Sequence, residues 1–353
     1  MSLKISTWNV KHSQQLIEDD PSADLLERMG RVKDTITLIN ADILLVVEGP
    51  KGEAKIIDFC DKVLDNTWVP VLLKGSDDEV GDRDRDYGYD MRGTQWVWYL
   101  VKPSLLSQCR IQAAAVWHSF IGGDNWQVNY WGQFERDNHE HYRQPQVLIY
   151  KLDNGKEIEC IGVHLKSKIN KEPITYDAEQ NLTGAYVNTA LKARVKLATE
   201  ARNIRHYVDA KFRQLEAPAL VILGDCNDGP GQDYFESNYL FFDLIQNLQG
   251  EVLMAEKYFN HVLFDVAKDL RWTARYRDPI LKIPASKNPL LIDHILVSQP
   301  LCNGSFPLQV NAKAGKVEHE IFERVNADSN SKTISSDHRP VSVVLSDNEF
   351  VVV

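Results

Sequence analysis

The sequence predicts an α/β fold, a layered sandwich in which two β-rich halves carry helices on the outside. Three observations predict it. The nearly continuous apolar runs Asp42 to Glu48 and Ala219 to Leu223 have the length of buried strands and lead to polar residues at their ends. Two longer segments, Ala23 to Asn40 and Thr189 to Lys211, show apolar residues at helical spacing, and each precedes one of those runs. Val147 to Leu152 and Ile158 to Val163 flank Asp153-Asn154-Gly155, which has the composition of a hairpin turn.

In chain order, Ile5-Ser6-Thr7-Trp8-Asn9 is a short strand with Asn9 at its tip. Leu25, Leu26, Met29, Val32, Ile36 and Ile39 mark the first helix, and the strand that follows closes on Glu48. Gln95 to Val101 is a further strand, and the second arm of the hairpin is closed by His164. Leu191, Val195, Ala198, Ala201, Ile204 and Val208 mark the second helix, which passes through Pro218 into the strand before Asp225. Leu291 to Val297 contains Asp293 and His294, and Ser335-Ser336-Asp337-His338-Arg339-Pro340 leads into the strand Val341 to Leu345. Any one of these polar strand ends is ordinarily a satisfied group at the rim of a sheet. Their recurrence along the whole chain points to a shared reaction centre.

The segment Leu223-Gly224-Asp225-Cys226-Asn227-Asp228 is the most informative of them. A carboxylate at the tip of a buried strand can take a proton from water while a neighbouring amide holds an oxygen, and Gly224 lets the backbone approach a ligand. Cys226 lies between the two but is expected to point to the opposite side, which disfavours a catalytic thiol.

Composition fits a globular enzyme of 353 residues, 43% hydrophobic and 25% charged. A net charge of -10 argues against broad affinity for polyanions. No stretch reaches the roughly 18 apolar residues of a membrane span. The first strand follows Met1-Ser2 directly, so no signal peptide, no stable membrane association and a cytoplasmic location are expected. The five cysteines are widely spaced without metal-type pairing and are expected to be reduced core thiols.

Taken in order, Thr7-Trp8-Asn9-Val10, Val47-Glu48, Gly162 to Lys168, Gly224 to Asp228, Ile292 to Leu296 and Ser336 to Pro340 resemble the motifs of the endonuclease/exonuclease/phosphatase superfamily, whose fold is that of deoxyribonuclease I. Val47 stands where many members carry Gln, and Cys226 where an apolar residue is usual; neither departure removes a catalytic group. The resemblance implies a four-layer α/β sandwich of two packed, mostly antiparallel sheets flanked by helices. Because the motifs run from Asn9 to His338 and must converge, it implies one catalytic domain over residues 1–353.

The activity implied is metal-dependent phosphoester hydrolysis, in which water attacks phosphorus and displaces an alkoxide. Asn9 and Glu48 offer hard oxygen ligands suited to Mg²⁺ or Mn²⁺, with Asp337 contributing to the metal region. By the same resemblance Asp225 positions or deprotonates the water and Asn227 orients it. His338 contacts the phosphate with Asp293 fixing its protonation, and His164 stabilises the phosphate or protonates the leaving oxygen.

Three segments read as loops on this scaffold. Asp77 to Asp86 is a mixed, mostly acidic surface run. Trp117 to Tyr142 is rich in aromatic residues, read as the packing of a long hairpin or as a stacking surface, and it precedes Arg143, expected near the phosphate. The polar segment Lys166 to Tyr186 follows His164 and carries Lys166, Lys168 and Lys171, which with Arg143 and Arg92 are candidates for a basic patch over an anionic substrate. A nuclease-like phosphodiesterase is favoured over a phosphatase or phosphodiesterase for small nucleotides, inositol phosphates or lipid headgroups. A catalytically silent binding module would lack one of the acid, amide or imidazole groups, and none is missing.

Overall fold

The computed structural model describes residues 2–73, 88–130, 136–170, 172–231, 233–240 and 243–347. The acidic run at 77–86 and Lys171 lie outside the described residues. The strands are β1 (Ser2–Asn9), β2 (Ile43–Gly49), β3 (Val69–Pro70), β4 (Trp96–Val101), β5 (Cys109–Gln112), β6 (Asn125–Val128), β7 (Asp137–Glu140), β8 (Gln146–Lys151), β9 (Glu157–His164), β10 (Ala219–Asp225), β11 (Phe259–His261), β12 (Ala274–Arg275), β13 (Pro289–Leu290), β14 (Asp293–Ser298), β15 (Leu308–Val317) and β16 (Val341–Asp347). The helices are α1 (Ala23–Ile39), α2 (Glu53–Lys62), α3 (Ala114–Ile121), α4 (Gly184–Gln214), α5 (Leu244–Gln249) and α6 (His319–Val325).

Two six-stranded sheets form, in the orders β15-β16-β1-β2-β4-β3 and β11-β14-β10-β9-β8-β5. Each is antiparallel except for one central parallel pair, β1 with β2 and β9 with β10. A parallel pair needs a crossover of a dozen or more residues, and α1 and α4 are those crossovers. The four strands of the two pairs therefore run the same way within each unit, and Asn9, Glu48, His164 and Asp225 all fall at or next to their carboxyl ends. In sheets with parallel crossovers that end is where ligands bind.

The alternation of side chains along β10 explains the layers. Val221 and Leu223 pack into the core that also holds Ile5, Leu45 and Tyr99 of the other sheet. Leu220 and Ile222 pack instead with Leu197, Ala201, Ile204 and Val208 of α4. On the opposite side, Val32, Ile36 and Ile39 of α1 and Ile56 and Phe59 of α2 join the first sheet. The sandwich expected from the resemblance is the arrangement found. Gly162 lets the two sheets close, because a Cβ there would lie 2.5 Å from Leu45 Cδ1 and 2.8 Å from the Tyr99 hydroxyl. That hydroxyl donates across the gap to the Cys160 carbonyl at 2.8 Å.

Two expectations change. The second long helix begins at Gly184 and is 31 residues long, so it takes in the end of the segment read as loop. The aromatic segment is not one long hairpin: it opens with α3, closed by Gly122 in the left-handed region (φ 83), and only then forms the β6–β7 pair. Trp117 lies buried in that helix, stacked on Tyr207 of α4 with ring centroids 3.9 Å apart, so it packs the core and is withdrawn from any stacking surface.

A histidine relay joins β11 and β14 beside the strand ends. His294 Nε2 donates to the Asp228 carbonyl at 2.7 Å, which leaves Nδ1 to accept from His261 Nε2 at 2.9 Å, while His261 Nδ1 accepts from the Leu263 N–H at 3.0 Å. Both rings must be neutral to satisfy this chain. Burial, together with the His294 ring and Arg271, holds His261 well below the ordinary histidine range, and burial also lowers His294. The unfolded chain accepts protons that the folded chain refuses. The stability due to the relay is thus full above about 6.5, the ordinary histidine pKa, and is lost as pH falls below it. Thermal unfolding monitored from pH 7.5 to 5 is expected to show a falling midpoint, with a shallower fall in His261→Gln; parallel curves would remove the relay from the explanation.

Candidate active site

Register brings the polar strand ends into one row. Asp225 is paired with His164 on its parallel neighbour and with Asp293 on its antiparallel neighbour, so the three lie side by side across the second sheet. From the first sheet, Asn9 reaches across: its Nδ2 donates to Asp225 Oδ2 at 2.9 Å and lies 3.3 Å from Glu48 Oε1. The loop before β16 is tied to the same place. Ser336 Oγ donates to the Asn9 carbonyl at 2.6 Å, and Trp8 Nε1 donates to the His338 carbonyl at 2.9 Å.

Backbone conformation helps to aim two of these groups. Pairing of β2 with β4 shifts register between Val46 and Gly49, and within that irregularity Glu48 has φ 57, a conformation uncommon for a residue with a side chain. Gly224 has φ 136, and a Cβ there would lie 2.0 Å from the Val163 carbonyl oxygen. Gly224→Ala is expected to cost roughly 2–4 kcal/mol through strain and displacement of β9. A urea midpoint indistinguishable from wild type would contradict this.

Asp293 Oδ2 accepts from His338 Nδ1 at 2.8 Å, with both residues buried. Burial alone would lower the imidazole pKa, but Asp293, Asp225 and Asp337 together raise it to about 10. At neutral pH the ring is an imidazolium, and its Nε2, 2.9 Å from the Tyr276 hydroxyl, is a donor. Burial and the neighbouring Asp293 push Asp225 up to about 7, against the opposing pull of His338, the Asn9 amide and the Asn227 N–H. That position is well matched to a group that takes up a proton near neutrality. Asn227, at φ 54, donates its own N–H to Asp225 Oδ1 at 2.8 Å and its side-chain amide to the Leu165 carbonyl at 2.9 Å.

His164 Nε2 lies 3.8 Å from Asp225 Oδ2, and its buried Nδ1 has no partner among the described residues. Burial, then Arg143 and His338, push its pKa well below the ordinary range. In its neutral form the ring can donate a hydrogen bond to a phosphate oxygen. Arg143 donates to the His164 carbonyl at 3.4 Å and to Gln95 Oε1 at 3.0 Å, and Gln95 Nε2 donates to Glu48 at 2.6 Å. A continuous network thus runs from Arg143 through Gln95, Glu48 and Asn9 to Asp225.

The donor set fits a hard divalent cation. Glu48 Oε2 accepts from the His12 N–H and Gln95, whereas among the described residues Oε1 has only the long contact to Asn9 and so keeps acceptor capacity. Asp337 Oδ2 pairs with the Lys11 ammonium at 3.0 Å. Donor atoms of Asp225, Asp293 and His338 all come within 4.8 Å of one another, close enough to share a metal ion or a proton. Glu48→Gln is expected to weaken Mn²⁺ binding at least about tenfold while leaving the fold intact, since metal ligands and their supports carry effects of this size. Calorimetric titration checks it, and an unchanged isotherm would remove Glu48 from the metal set.

Lys171 of the expected basic patch lies outside the described residues, and Lys168, Arg92 and Arg143 have acidic or polar partners. Lys168 is tied to Asp228, Asp233 and Glu236, and Arg92 is paired with Glu140, so neither presents uncompensated charge. Lys166 is half-buried, and its backbone N–H donates to Glu200 Oε2 at 2.8 Å. The network also includes residues that the sequence did not reveal. Gln95 sits one position before β4, Tyr276 reaches His338 because Ala274 bridges to it, and Thr273 Oγ1 accepts the Asp293 N–H at 3.1 Å. No motif marks them; only the proximity of Gln95 to a strand end was a usable signal.

No family model and no curated protein matches the chain. Among solved structures, truncated Caenorhabditis elegans TDP2 aligns over 98% of this chain and 98% of that one, at 13% identity and a TM-score of 0.51. TDP2 from C. elegans aligns over 98% of this chain and 75% of that one, at 12% identity and a TM-score of 0.50. An endonuclease/exonuclease/phosphatase from Bacteroides vulgatus aligns over 98% and 99%, at 12% identity and a TM-score of 0.45. The two C. elegans structures establish the fold: this chain is an α/β sandwich of the type they share, with a polar site across its two central parallel pairs.

Proposed function

We propose that this chain is a divalent-metal-dependent phosphoester hydrolase of the endonuclease/exonuclease/phosphatase superfamily, with one catalytic domain over residues 1–353. The observation that carries the reading is the buried His338–Asp293 pair set beside Asp225, a carboxyl group poised near neutrality. Asp225 takes the proton of the attacking water, which Asn227 and Asn9 help to hold, while the bond from phosphorus to the leaving oxygen breaks. The His338 imidazolium and the His164 ring supply donors for the charge that gathers on the phosphate oxygens. Mg²⁺ or Mn²⁺ held by Glu48 would neutralise phosphate charge. The five cysteines are free, which supports a reducing, cytoplasmic setting. Among the described residues no helix is long and apolar enough to cross a membrane.

Nuclease-like phosphodiester hydrolysis remains the favoured chemistry. The neutralised Lys168 and Arg92 favour, as a second reading, a compact nucleotide, inositol phosphate or lipid headgroup over a long polyanion. Release of nitrophenol from bis-(p-nitrophenyl) phosphate, dependent on Mg²⁺ or Mn²⁺, tests the reaction; its absence with both metals would overturn it. A panel of DNA, RNA, cyclic dinucleotides, inositol phosphates and sphingomyelin separates the substrate classes.

A further inference from the structure

Asp293 engages only one of the two ring nitrogens of His338. Nδ1 donates to Asp293 Oδ2 at 2.8 Å, so the imidazolium has a second N–H to place. That N–H, at Nε2, meets the Tyr276 hydroxyl at 2.9 Å, with the two ring centroids 6.1 Å apart. A protonated ring nitrogen can only donate, so the phenol oxygen is the acceptor and its own O–H is left unused. Nε2 is the hydroxyl's one hydrogen-bond partner among the described residues.

Backbone contacts hold Tyr276 in this place. It directly follows β12, which pairs with β13 and bridges from Ala274 to His338 itself. The Arg339 N–H donates to the Thr273 carbonyl at 2.7 Å, and Asn288 Nδ2 donates to the Tyr276 carbonyl at 2.8 Å. The phenol and the imidazole are therefore carried by segments tied to each other on both sides of the contact. Tyr276 is half-buried, so part of its surface stays accessible to a substrate. Burial, then the carboxylates of Asp337, Asp225, Asp293 and Glu48, raise its pKa, and the phenol keeps its proton at neutral pH.

We propose that Tyr276 is a further catalytic residue, which protonates the leaving oxygen and is resupplied by His338 behind it. The inference rests on the phosphoesterase reading above and deepens it. As the bond from phosphorus to the leaving oxygen breaks, the electron pair of that bond takes the proton of the Tyr276 O–H. The phenol oxygen takes the Nε2 proton of His338, which remains bonded to Asp293 through Nδ1 as a neutral ring. Asp225 takes the proton of the attacking water, so one proton is given and one received, and exchange with solvent restores both groups. A phenol that merely covered Nε2 until a substrate displaced it would instead slow the reaction, and its removal would speed turnover.

The test uses the full chain with Tyr276→Phe, which removes the hydroxyl and keeps the ring. Turnover is measured with Mn²⁺ on bis-(p-nitrophenyl) phosphate, bis-(p-chlorophenyl) phosphate and diphenyl phosphate, a series in which the leaving oxygen needs a proton increasingly. On diphenyl phosphate kcat is expected to fall about a hundredfold or more, the scale of a lost general acid, and the loss on bis-(p-nitrophenyl) phosphate should be at least about tenfold smaller. A residue that only held His338 in place would cost all three esters alike. A fluorinated tyrosine placed at the same position retains the O–H on a more acidic phenol, and it should narrow the spread of rates between the esters. Equal losses across the series, no loss, faster turnover in the Phe variant, or an unchanged spread in the fluorinated one would each overturn the proposal while leaving the hydrolase reading in place. Cleavage of none of the esters by the wild type would remove the hydrolase reading, and the proposal with it.

Discussion

Asp225→Asn is expected to lower kcat by roughly 10²–10⁴-fold, the range for loss of a general base. The amide cannot take the proton of water, and it also disturbs the surrounding hydrogen bonds. Asp225 accepts at both oxygens, from the Asn227 N–H and the Asn9 amide, whereas an Asn offers one acceptor and forces a donor against a donor at the other. Glu48 and Gln95 lie beyond Asn9 in the network, so metal binding should be perturbed far less than turnover. Steady-state kinetics on bis-(p-nitrophenyl) phosphate beside Mn²⁺ titration makes the comparison. Residual activity within a few-fold of wild type would mean that another group takes the proton, while equal losses of metal affinity and kcat would recast Asp225 as a ligand.

The second large effect belongs to the buried pair. Asp293→Asn and His338→Ala are each expected to reduce kcat by roughly 10²–10⁴-fold, and the double variant should be little worse than either alone, as for residues that act as a unit. Asp293 is the strongest of the neighbours that raise His338 to about 10. Without its charge the ring loses both its protonation and its anchor at Nδ1. Asp293 Oδ1 has no partner among the described residues and lies in the buried interior, so the carboxylate is held by its hydrogen bond to the imidazolium. Losses that multiply in the double variant would show that the two side chains act separately.

Much of the site was legible in the chain because strand ends announce themselves. Asn9, Glu48, His164, Asp225, Asp293 and His338 each follow or begin an apolar run, and a buried strand that ends on a polar group leaves little doubt about where that group emerges. The helices between β1 and β2 and between β9 and β10 were equally plain from their 3.6-residue period. That each helix joins two parallel neighbours, with their carboxyl ends at one rim, came only from the fold.

The tertiary structure decided which charges are free. Lys168 looks in sequence like a substrate-facing cation, yet Asp233 and Glu236, more than 60 residues later, close on it. Asp337 shows in sequence only its carboxylate, and the tertiary structure sets Lys11, from the other end of the chain, 3.0 Å from one of its oxygens. His164 shows in sequence only an imidazole, and burial, then Arg143 and His338, push its pKa well below the ordinary range. Periodicity and composition record which surface a residue belongs to. They do not record the partner across a loop closure, and in a low-dielectric site it is the partner and the depth of burial that set protonation, charge and availability.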